Sequence, residues 1–564
     1  MTRSDKLARR WRFRLNSAAG LLLAGLLFES GPDLDRAVSA FADNGAQPAC
    51  DYEQLREQAV NAGTAQGWAM AGDCAVSVGD PATALEAYLY VHTIGGMSDS
   101  ETLYVLRSIG FQAEAAGDTD RSRWAWEEAA SLSGSAEDGL RAARALRLAG
   151  YPDRASARLS RVDDAALQGP VLALYYEERA RTIAADQPRE AAMWMERAIS
   201  VEDAAFRHFD RGLWLERAGD NAGALAAFEA ARQRDPQNAD IVLANAYSLS
   251  RAARHDEAAI LFAEAAWQDA ANPTLREEEG YARAAAGQRS DAALAFRDAI
   301  DRHHAASSAQ DDPMRLYRLR REVETLERTF YATGYLTYRD DAALGGFTLP
   351  EQGTFESQAG LEAGWRPEAL YRAGRGVTLY GRAFQGLEPG SLQFTEDTLQ
   401  LGIGARWKPF ASHDFNLAAE RLIAGGDLAR DAWLLRASWG WTQGGDWNPV
   451  ADRWVYTSLY GDLAWIPDSP EFRSAYASVR HGLRFRTGEG WAVTPYLTAV
   501  GQISDDSLVT RERLEAGAGV MVSRWFGEDR YRAYRHRVDF ELEYRAGTGD
   551  TSDQSVIGRI VVNF

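Results

Sequence analysis

Hydrophobic periodicity changes abruptly near Phe330, and this change constrains the fold of the 564-residue chain more than any other feature. Before Phe330, alanine-rich segments place small and large apolar residues at helical spacing. After it, segments rich in Tyr, Trp, Gly and Thr alternate apolar and polar residues, as strands do. The length also exceeds what one hydrophobic core supports. We therefore predict an α + β multidomain protein with a helical region followed by a β region.

The helical region contains an internal repeat. Small residues recur at intervals of 33 to 38 positions, and a large apolar residue follows each of them four positions later. The small residues are Ala84, Ser122, Ala155, Ala191, Ala224, Ala258 and Ala292, and the large ones are Tyr88, Trp126, Leu159, Met195, Phe228, Phe262 and Phe296. This pattern resembles the tetratricopeptide repeat, an antiparallel helix pair of about 34 residues whose copies stack into a solenoid. The resemblance implies a groove that binds a protein; the alternative is a rigid spacer with an empty groove.

The N-terminus has the composition of an export signal. Six basic residues precede an apolar run over 18–28, which is too short to span a membrane, since spanning takes about 20 residues. Small residues at Ala40 and Ala42 are candidates for the cleavage region. We predict a signal peptide over 1–42 and export from the cytoplasm; a helix lying on a membrane surface is the alternative.

The chain has only two cysteines, Cys50 and Cys74. In an oxidising compartment they could form a disulfide that stabilises the first helices by about 3 kcal/mol; two buried thiols are the alternative. No cofactor or metal is expected, because His303 and His304 have no third ligand nearby and suit the C-terminal end of a helix. The net charge of −19 argues against nucleic-acid binding.

After a charged and exposed linker helix predicted over 312–329, we count about twelve alternating segments. They begin near Tyr331, Phe355, Gly376, Asp397, His413, Arg430, Trp454, Arg473, Trp491, Glu512, Arg535 and Gln554. An even number of segments of about ten residues, aromatic residues at their ends and a C-terminal Phe564 favour an antiparallel transmembrane β-barrel. A soluble β-domain is the alternative. The predicted domains are the solenoid over 43–311, the linker helix over 312–329 and the barrel over 330–564.

The charged residues of the alternating segments are predicted to line the lumen of the barrel. The candidates are Arg406, Lys408, Glu420, Arg436, Asp462, Arg480, Arg484, Arg486, Glu515, Asp539, Glu541, Glu543 and Arg545. Their mixed signs suit ion pairs that brace or plug the barrel, which we favour. The alternative is a conduit for a polar polymer, with Trp and Tyr rings as platforms for sugars.

Several stretches of the β region carry a family resemblance. The residues over 414–421 and 430–438, with further similarity over 515–520 and 534–545, resemble the C-terminal domain of the NfrA-type phage-adsorption family. The combination of export signal, repeats and barrel also resembles outer-membrane exporters of exopolysaccharide.

These resemblances imply an outer-membrane protein with periplasmic repeats. They imply action in surface-polysaccharide secretion with an inner-membrane glycosyltransferase, and use as a receptor by a phage. The expected partners are outer-membrane lipids, a periplasmic or inner-membrane protein in the repeat groove, a polysaccharide and a phage. Loops around 445–448 and 527–530 are predicted to be exposed. A barrel-anchored scaffold with a closed lumen and no transport is the alternative.

An outer-membrane lipid hydrolase is a further alternative. The β region contains His413, His481 and His536, of which the last two fall on the apolar face of their segments. No spacing ties a serine nucleophile to either of them, as a Ser–His hydrolase requires. We therefore expect no enzymatic activity.

Overall fold

The computed structural model describes residues 50–306, 312–340, 357–372, 374–388, 391–469, 471–505, 510–549 and 554–564. The predicted signal peptide over 1–42 lies outside the described residues. The chain divides into two compact units, one ending at Pro236 and the other beginning at Gln237.

The first unit is helical. Its described part contains α1 (Tyr52–Ala62), α2 (Ala65–Ser77), α3 (Pro81–Ile94), α4 (Asp99–Ala115), α5 (Thr119–Ser133), α6 (Ala136–Leu148), α7 (Pro152–Leu159), α8 (Gly169–Ile183), α9 (Pro188–Val201), α10 (Ala205–Arg217) and α11 (Asn221–Arg234). From α2 onward, consecutive helices pair as hairpins. Capping residues fix the helix starts: Ser98 and Glu101 form a reciprocal capping box at α4, and Asp220 accepts from the backbone N–H of Gly223 at α11.

The core of each hairpin depends on a small residue facing a large one. Gly212 of α10 lies against the ring of Phe228 of α11, where a Cβ atom would come within 2.6 Å of the ring. Gly72 faces Tyr88 and Gly110 faces Trp126 in the same way. All fourteen repeat residues identified in the sequence are at most 2% exposed. This burial and the helical hairpins confirm the predicted repeat.

A disulfide joins Cys50, just before α1, to Cys74 of α2, and their Cα atoms are 5.8 Å apart. It holds the start of the described chain to the first helix of the first hairpin.

The second unit begins with two more hairpins and a final helix. These are α12 (Ala239–Arg251), α13 (His255–Gln268), α14 (Pro273–Ala286), α15 (Arg289–Ala305) and α16 (Pro313–Glu327). Gly280 of α14 faces Phe296 of α15, as in the first unit. In the described part of the chain, no helix combines the length and the apolar character needed to cross a membrane.

Within the described residues, twelve antiparallel strands follow in the second unit. They are β1 (Phe330–Arg339), β2 (Gln358–Trp365), β3 (Arg375–Gly386), β4 (Gln400–Lys408), β5 (Asp414–Ala424), β6 (Trp433–Gln443), β7 (Arg453–Ile466), β8 (Phe472–Gly488), β9 (Trp491–Asp505), β10 (Thr510–Phe526), β11 (His536–Gly549) and β12 (Gln554–Asn563). A two-residue strand, Tyr371–Arg372, pairs with the start of β3.

The sheet closes on itself, since β1 pairs with both β2 and β12. Thr333 lies opposite Asn563 at the closing seam. This closed barrel confirms the predicted fold class, and every strand begins within three residues of its predicted start.

The two faces of the barrel differ in chemistry. On β11, the outward side chains Phe540, Leu542 and Tyr544 are 46%, 61% and 48% exposed, whereas the inward Asp539 and Glu543 are each 2% exposed. The alternation therefore places apolar side chains outside and charged side chains inside, the reverse of a soluble β-domain.

The final helix α16 differs from the prediction of a charged and exposed linker. Leu319 and Val323 are buried, and they pack with Phe296 and Ile300 of α15 and with Tyr531 from the β10–β11 connection. The prediction of exposure was wrong because the charged residues of α16 conceal an apolar stripe at positions i and i+4.

Candidate functional site

The two ends of the barrel are set by the direction of its first strand. The chain enters β1 directly after α16. We call the end of the barrel where β1 begins the helix-side end, and the opposite end the far end. Because the strands are antiparallel and sequential, every connection after an even-numbered strand lies at the helix-side end. These connections are 366–374, 409–413, 444–452, 489–490 and 527–535.

The largest ion-pair network inside the barrel centres on two carboxylates. Glu543 is 2.7 Å from Arg480, accepts from Arg545 at 2.7 Å and accepts from the Tyr496 hydroxyl at 2.5 Å. Glu515 accepts from Arg339 at 2.6 Å and from Arg545 at 3.4 Å, and lies 2.7 Å from Arg513. Glu541 lies 3.1 Å from Arg480. The network links β1, β8, β9, β10 and β11 across the interior.

Other ion pairs lie along the rest of the inner wall of the barrel. Glu420 accepts from Arg382 at 2.7 Å and from the hydroxyl of Tyr380 at 2.9 Å. Arg436 donates to Asp462 at 2.5 Å. Further out, Arg406 donates to Glu362 at 3.2 Å, and Lys408 lies 3.4 Å from Asp414 at the helix-side end.

Because these charged groups are buried, each depends on its partner of opposite charge. Glu420 is 0% exposed, and Asp462 and Asp539 are each 2% exposed. A buried charge without a partner costs several kcal/mol, typically about 3 to 5 when one partner is removed. Complementary charges are therefore required here, and pairs such as Arg382–Glu420 and Arg436–Asp462 join nearby strands of the wall.

Several interior charges were missed by the sequence analysis. These are Arg339, Arg382, Arg513, Arg537, Arg559 and Glu362. Each occupies an inward position in its strand, so strict counting of the two-residue period along each strand would have found them.

Three arginines near the helix-side end donate hydrogen bonds to backbone carbonyl oxygens. Arg484 is 0% exposed and donates to the carbonyl oxygens of Gly444 and Gly445 at 3.1 and 2.9 Å. Arg537 donates to Gly445 O at 3.0 Å, and Arg486 donates to Pro449 O at 3.0 Å. The β6–β7 connection over 444–452 is thereby held against inward-facing side chains of β8 and β11.

Trp447, in this connection, lies at the centre of an aromatic cluster. Trp447 is 6% exposed, and its ring lies 5.6 to 6.0 Å from the rings of Trp454, Trp525 and Tyr534. Tyr317 of α16 packs against the same cluster. A cleft of about 520 Å³ lies beside it, lined in part by Arg321, Trp447 and Arg537.

This arrangement contradicts the predicted exposure of the loop around 445–448 in part, since Trp447 is buried, whereas residues 527–530 are all exposed as predicted. Both lie at the helix-side end, where Trp447 is buried and Arg530 is 2.5 Å from Asp301 of α15. Gly, Asp and Asn correctly indicated turns, but turn composition does not show which end a turn occupies or what covers it. Counting strands from the helices would have placed both loops.

The histidines have ordinary surroundings. The ring of His481 contacts the Thr457 hydroxyl at 2.9 Å on the outward face, His413 contacts the neighbouring Ser412, and His536 packs on Phe564. Within the described residues no carboxylate orients any of the three barrel histidines, and no cluster suited to a metal ion occurs.

His303 of α15 is buried, unlike His413 and His481 of the barrel. It is 5% exposed and bonds to Glu277 of α14, which also lies 2.8 Å from Arg315 of α16. The sequence predicted only a favourable charge at a helix terminus. The contact with Glu277 of another helix is visible only in the tertiary structure.

The first unit has its own charged system between successive hairpins. Arg144 of α6 lies 2.7 Å from Glu114 of α4, and Arg147 lies 2.6 Å from Glu178 of α8. Burial opposes ionisation of Glu178, but the charges of Arg147 and Arg144 outweigh it and hold its pKa below the usual value. Asp210 of α10 is more strongly affected by burial than by Arg181, so its pKa is raised.

Comparison with known proteins agrees with the resemblance in the β region. Residues 392–555 match the family model described as "Bacteriophage N adsorption protein A C-term". The match confirms the C-terminal resemblance inferred from the sequence and covers the strands from β4 through β11. A protein of Escherichia coli (strain K12) named "Bacteriophage adsorption protein A" is 28% identical over 190 residues. The aligned part is 32% of this chain and 19% of that protein, so the chain covers about a fifth of this relative.

Two solved structures are similar to the helical region. MamA 41-end from Desulfovibrio magneticus RS-1 is 16% identical, with 30% of this chain and 95% of that chain covered and a TM-score of 0.26. PilW, described as a widely conserved type IV pilus biogenesis factor, is 14% identical, with 36% of this chain and 92% of that chain covered and a TM-score of 0.31.

Proposed function

We propose that this protein is an outer-membrane β-barrel protein that a bacteriophage uses for adsorption, with its helical repeats in the periplasm. The observation that supports this most is the closed barrel of twelve strands, apolar outside and charged inside, whose strands β4–β11 lie in the adsorption-protein match. A chain with this outward face has no stable place in water.

The proposed orientation puts the far end outside the cell. The described far-end connections include 391–399 and 425–432, which are joined by a hydrogen bond from Leu428 N to Asp397 O at 2.8 Å. Leu392, Phe394 and Leu428 are 64%, 55% and 55% exposed there. Exposed apolar side chains on a surface beyond the bilayer are typical of sites that bind another protein. We propose these two connections as the adsorption surface.

The interior supports a braced lumen rather than an open conduit. Ion pairs centred on Glu420, Glu515 and Glu543 join strands around the wall. Single-channel conductance of the full chain in a planar bilayer tests this, with heat-dependent gel mobility as the control for a folded barrel. We expect a folded barrel without sustained conductance. Stable, ion-selective conductance would instead favour transport of a polymer.

A role in exopolysaccharide secretion is the second candidate. It is supported by the combination of stacked helical hairpins with a barrel, since such hairpins present extended binding surfaces. We propose that the hairpins bind an inner-membrane glycosyltransferase. Crosslinking in intact cells, followed by purification of the full chain, should recover that enzyme. Unchanged polymer output after deletion of the gene would argue against this role while leaving adsorption unaffected.

We propose no enzymatic activity. His481→Ala and His536→Ala should leave the lipid composition of the membrane unchanged, because both rings pack on the outward surface. Loss of a lipid hydrolase activity in either variant would overturn this proposal.

A further inference from the structure

The β6–β7 connection over 444–452 occupies an unusual position for a strand connection. Part of it folds against side chains that line the barrel, where Arg484, Arg486 and Arg537 donate to its backbone carbonyl oxygens. Guanidinium groups suit this role because their five donors form a rigid fork. The connection is therefore fixed by side chains from β8 and β11.

The aromatic cluster around Trp447 gives the connection a second attachment to the barrel. Trp525 is 2% exposed and Trp447 is 6% exposed, so the two rings shield one another from water. Ala492 of β9 is fully buried in the same cluster. Removing the Trp447 ring would leave a void next to inward-facing side chains of the barrel.

The final helix α16 contacts the connection from the other side. Arg321 Nε lies 2.9 Å from an Oδ atom of Asp446, and Tyr317 packs on the Trp447 cluster. Burial raises the pKa of Tyr317. The Arg321–Asp446 pair is partly exposed, and such pairs contribute little in water and are readily exchanged.

The same helix is attached to the last hairpin and to another connection at this end. Glu327 of α16 lies 2.6 Å from Arg532, and Arg328 donates to Arg535 O at 2.6 Å. Leu319 and Val323 pack on Phe296 of α15. Movement of the last hairpin would therefore move α16 relative to the connection.

We propose that the connection 444–452 is a plug at the helix-side mouth of the barrel and that α16 is its latch. Displacement of α16 breaks the Arg321–Asp446 pair and the Tyr317 packing, which releases Trp447 and admits water to the interior beneath it. A partner that binds the last hairpin thereby controls access to the lumen. Only the membrane placement of the barrel rests on the proposed function; the latch contacts do not.

A cysteine reporter tests the plug in the folded full chain. Met521 of β10 is 1% exposed, and its sulfur lies 4.0 Å from Arg484 Nη2, beneath the connection. Because Cys50 and Cys74 are paired in a disulfide, Met521→Cys supplies the reactive thiol. The measurement is its rate of modification by a charged, water-soluble thiol reagent.

We expect slow modification in the Met521→Cys parent and a rate at least about fivefold higher after Arg321→Asp, which replaces attraction by repulsion. Trp447→Ala should raise the rate further. The exchanged pair Arg321→Asp with Asp446→Arg should return the rate toward that of the parent. Arg318→Asp is the matched control, since Arg318 is exposed and lies on the same helix.

Equal rates in the parent, Arg321→Asp and Trp447→Ala would overturn the latch, and so would fast modification in the parent. Heat-dependent mobility verifies that each variant remains a folded barrel. A chain that folds in detergent but does not insert into bilayers would contradict the proposed function, while the modification rates would still decide the latch.

Discussion

The helical hairpins and the β-barrel use burial in opposite ways. In the hairpin of α10 and α11, Phe228 is fully buried against Gly212, and apolar contact holds the helices together. In the barrel, the fully buried Glu420 is paired with Arg382, while apolar residues such as Leu542 remain exposed on the outward face. At these two positions, burial goes with apolar packing in the hairpin and with a paired charge in the barrel, whose outward face is apolar.

The largest expected effect in the hairpins comes from Phe228→Ala. Removing the ring loses apolar burial and leaves a cavity beside Gly212, so the free energy of unfolding should fall by about 3 to 5 kcal/mol. Urea unfolding of the full chain, followed by helical circular dichroism, measures it. Phe206→Ala is the control, because Phe206 is 46% exposed. Equal losses in the two variants would show that the ring–glycine contact does not hold the hairpin.

The corresponding change in the barrel is Glu420→Gln. It leaves the Arg382 guanidinium buried without its anion, which should cost about 3 to 5 kcal/mol. The double variant Arg382→Met with Glu420→Gln should recover much of the loss, since the buried charge is gone. Heat-dependent mobility and urea titration in vesicles report barrel stability. A double variant less stable than Glu420→Gln alone would mean that the pair is not the source of the effect.

An ion pair in the hairpins gives a smaller and pH-dependent effect. Glu178→Gln should lower the free energy of unfolding by about 1.5 to 3 kcal/mol at neutral pH, because a charged hydrogen bond to Arg147 is weakened. The folded pKa of Glu178 lies below its unfolded value near 4.5, so its stabilisation is present above that value and is lost as the pH falls through the folded pKa. Unfolding curves of both proteins should therefore converge in acid. A difference that is constant with pH would exclude this electrostatic origin.

The smallest of these effects is expected from Gly212→Ala. The added Cβ would lie 2.6 Å from the Phe228 ring, and relieving the contact should cost about 1 to 3 kcal/mol. Combination with Phe228→Leu should reduce the cost by making room. If Gly212→Ala were stabilising, helix propensity would outweigh the packing constraint at this position.

The sequence predicted more of the barrel wall than of its ends. Twelve starts were located because alternation has a fixed period of two, and the inward placement of residues such as Glu543 follows from the same period. The burial of Trp447 in the loop around 445–448 was missed because turn residues carry no information about distant partners, whereas the exposure of residues 527–530 was predicted correctly. The buried face of α16 was missed for a similar reason, since its charged residues dominate the pattern.

The repeat spacing, the change of period near Phe330 and the strand alternation were determined by the sequence alone, because each arises from local backbone geometry. The tertiary structure decided which charges meet, as in Arg339 with Glu515, 176 positions apart, and which connection folds inward. Contacts of this kind depend on closure of the barrel, which brings β1 beside β12. Local patterns therefore set the elements, and closure of the sheet sets the partners inside it.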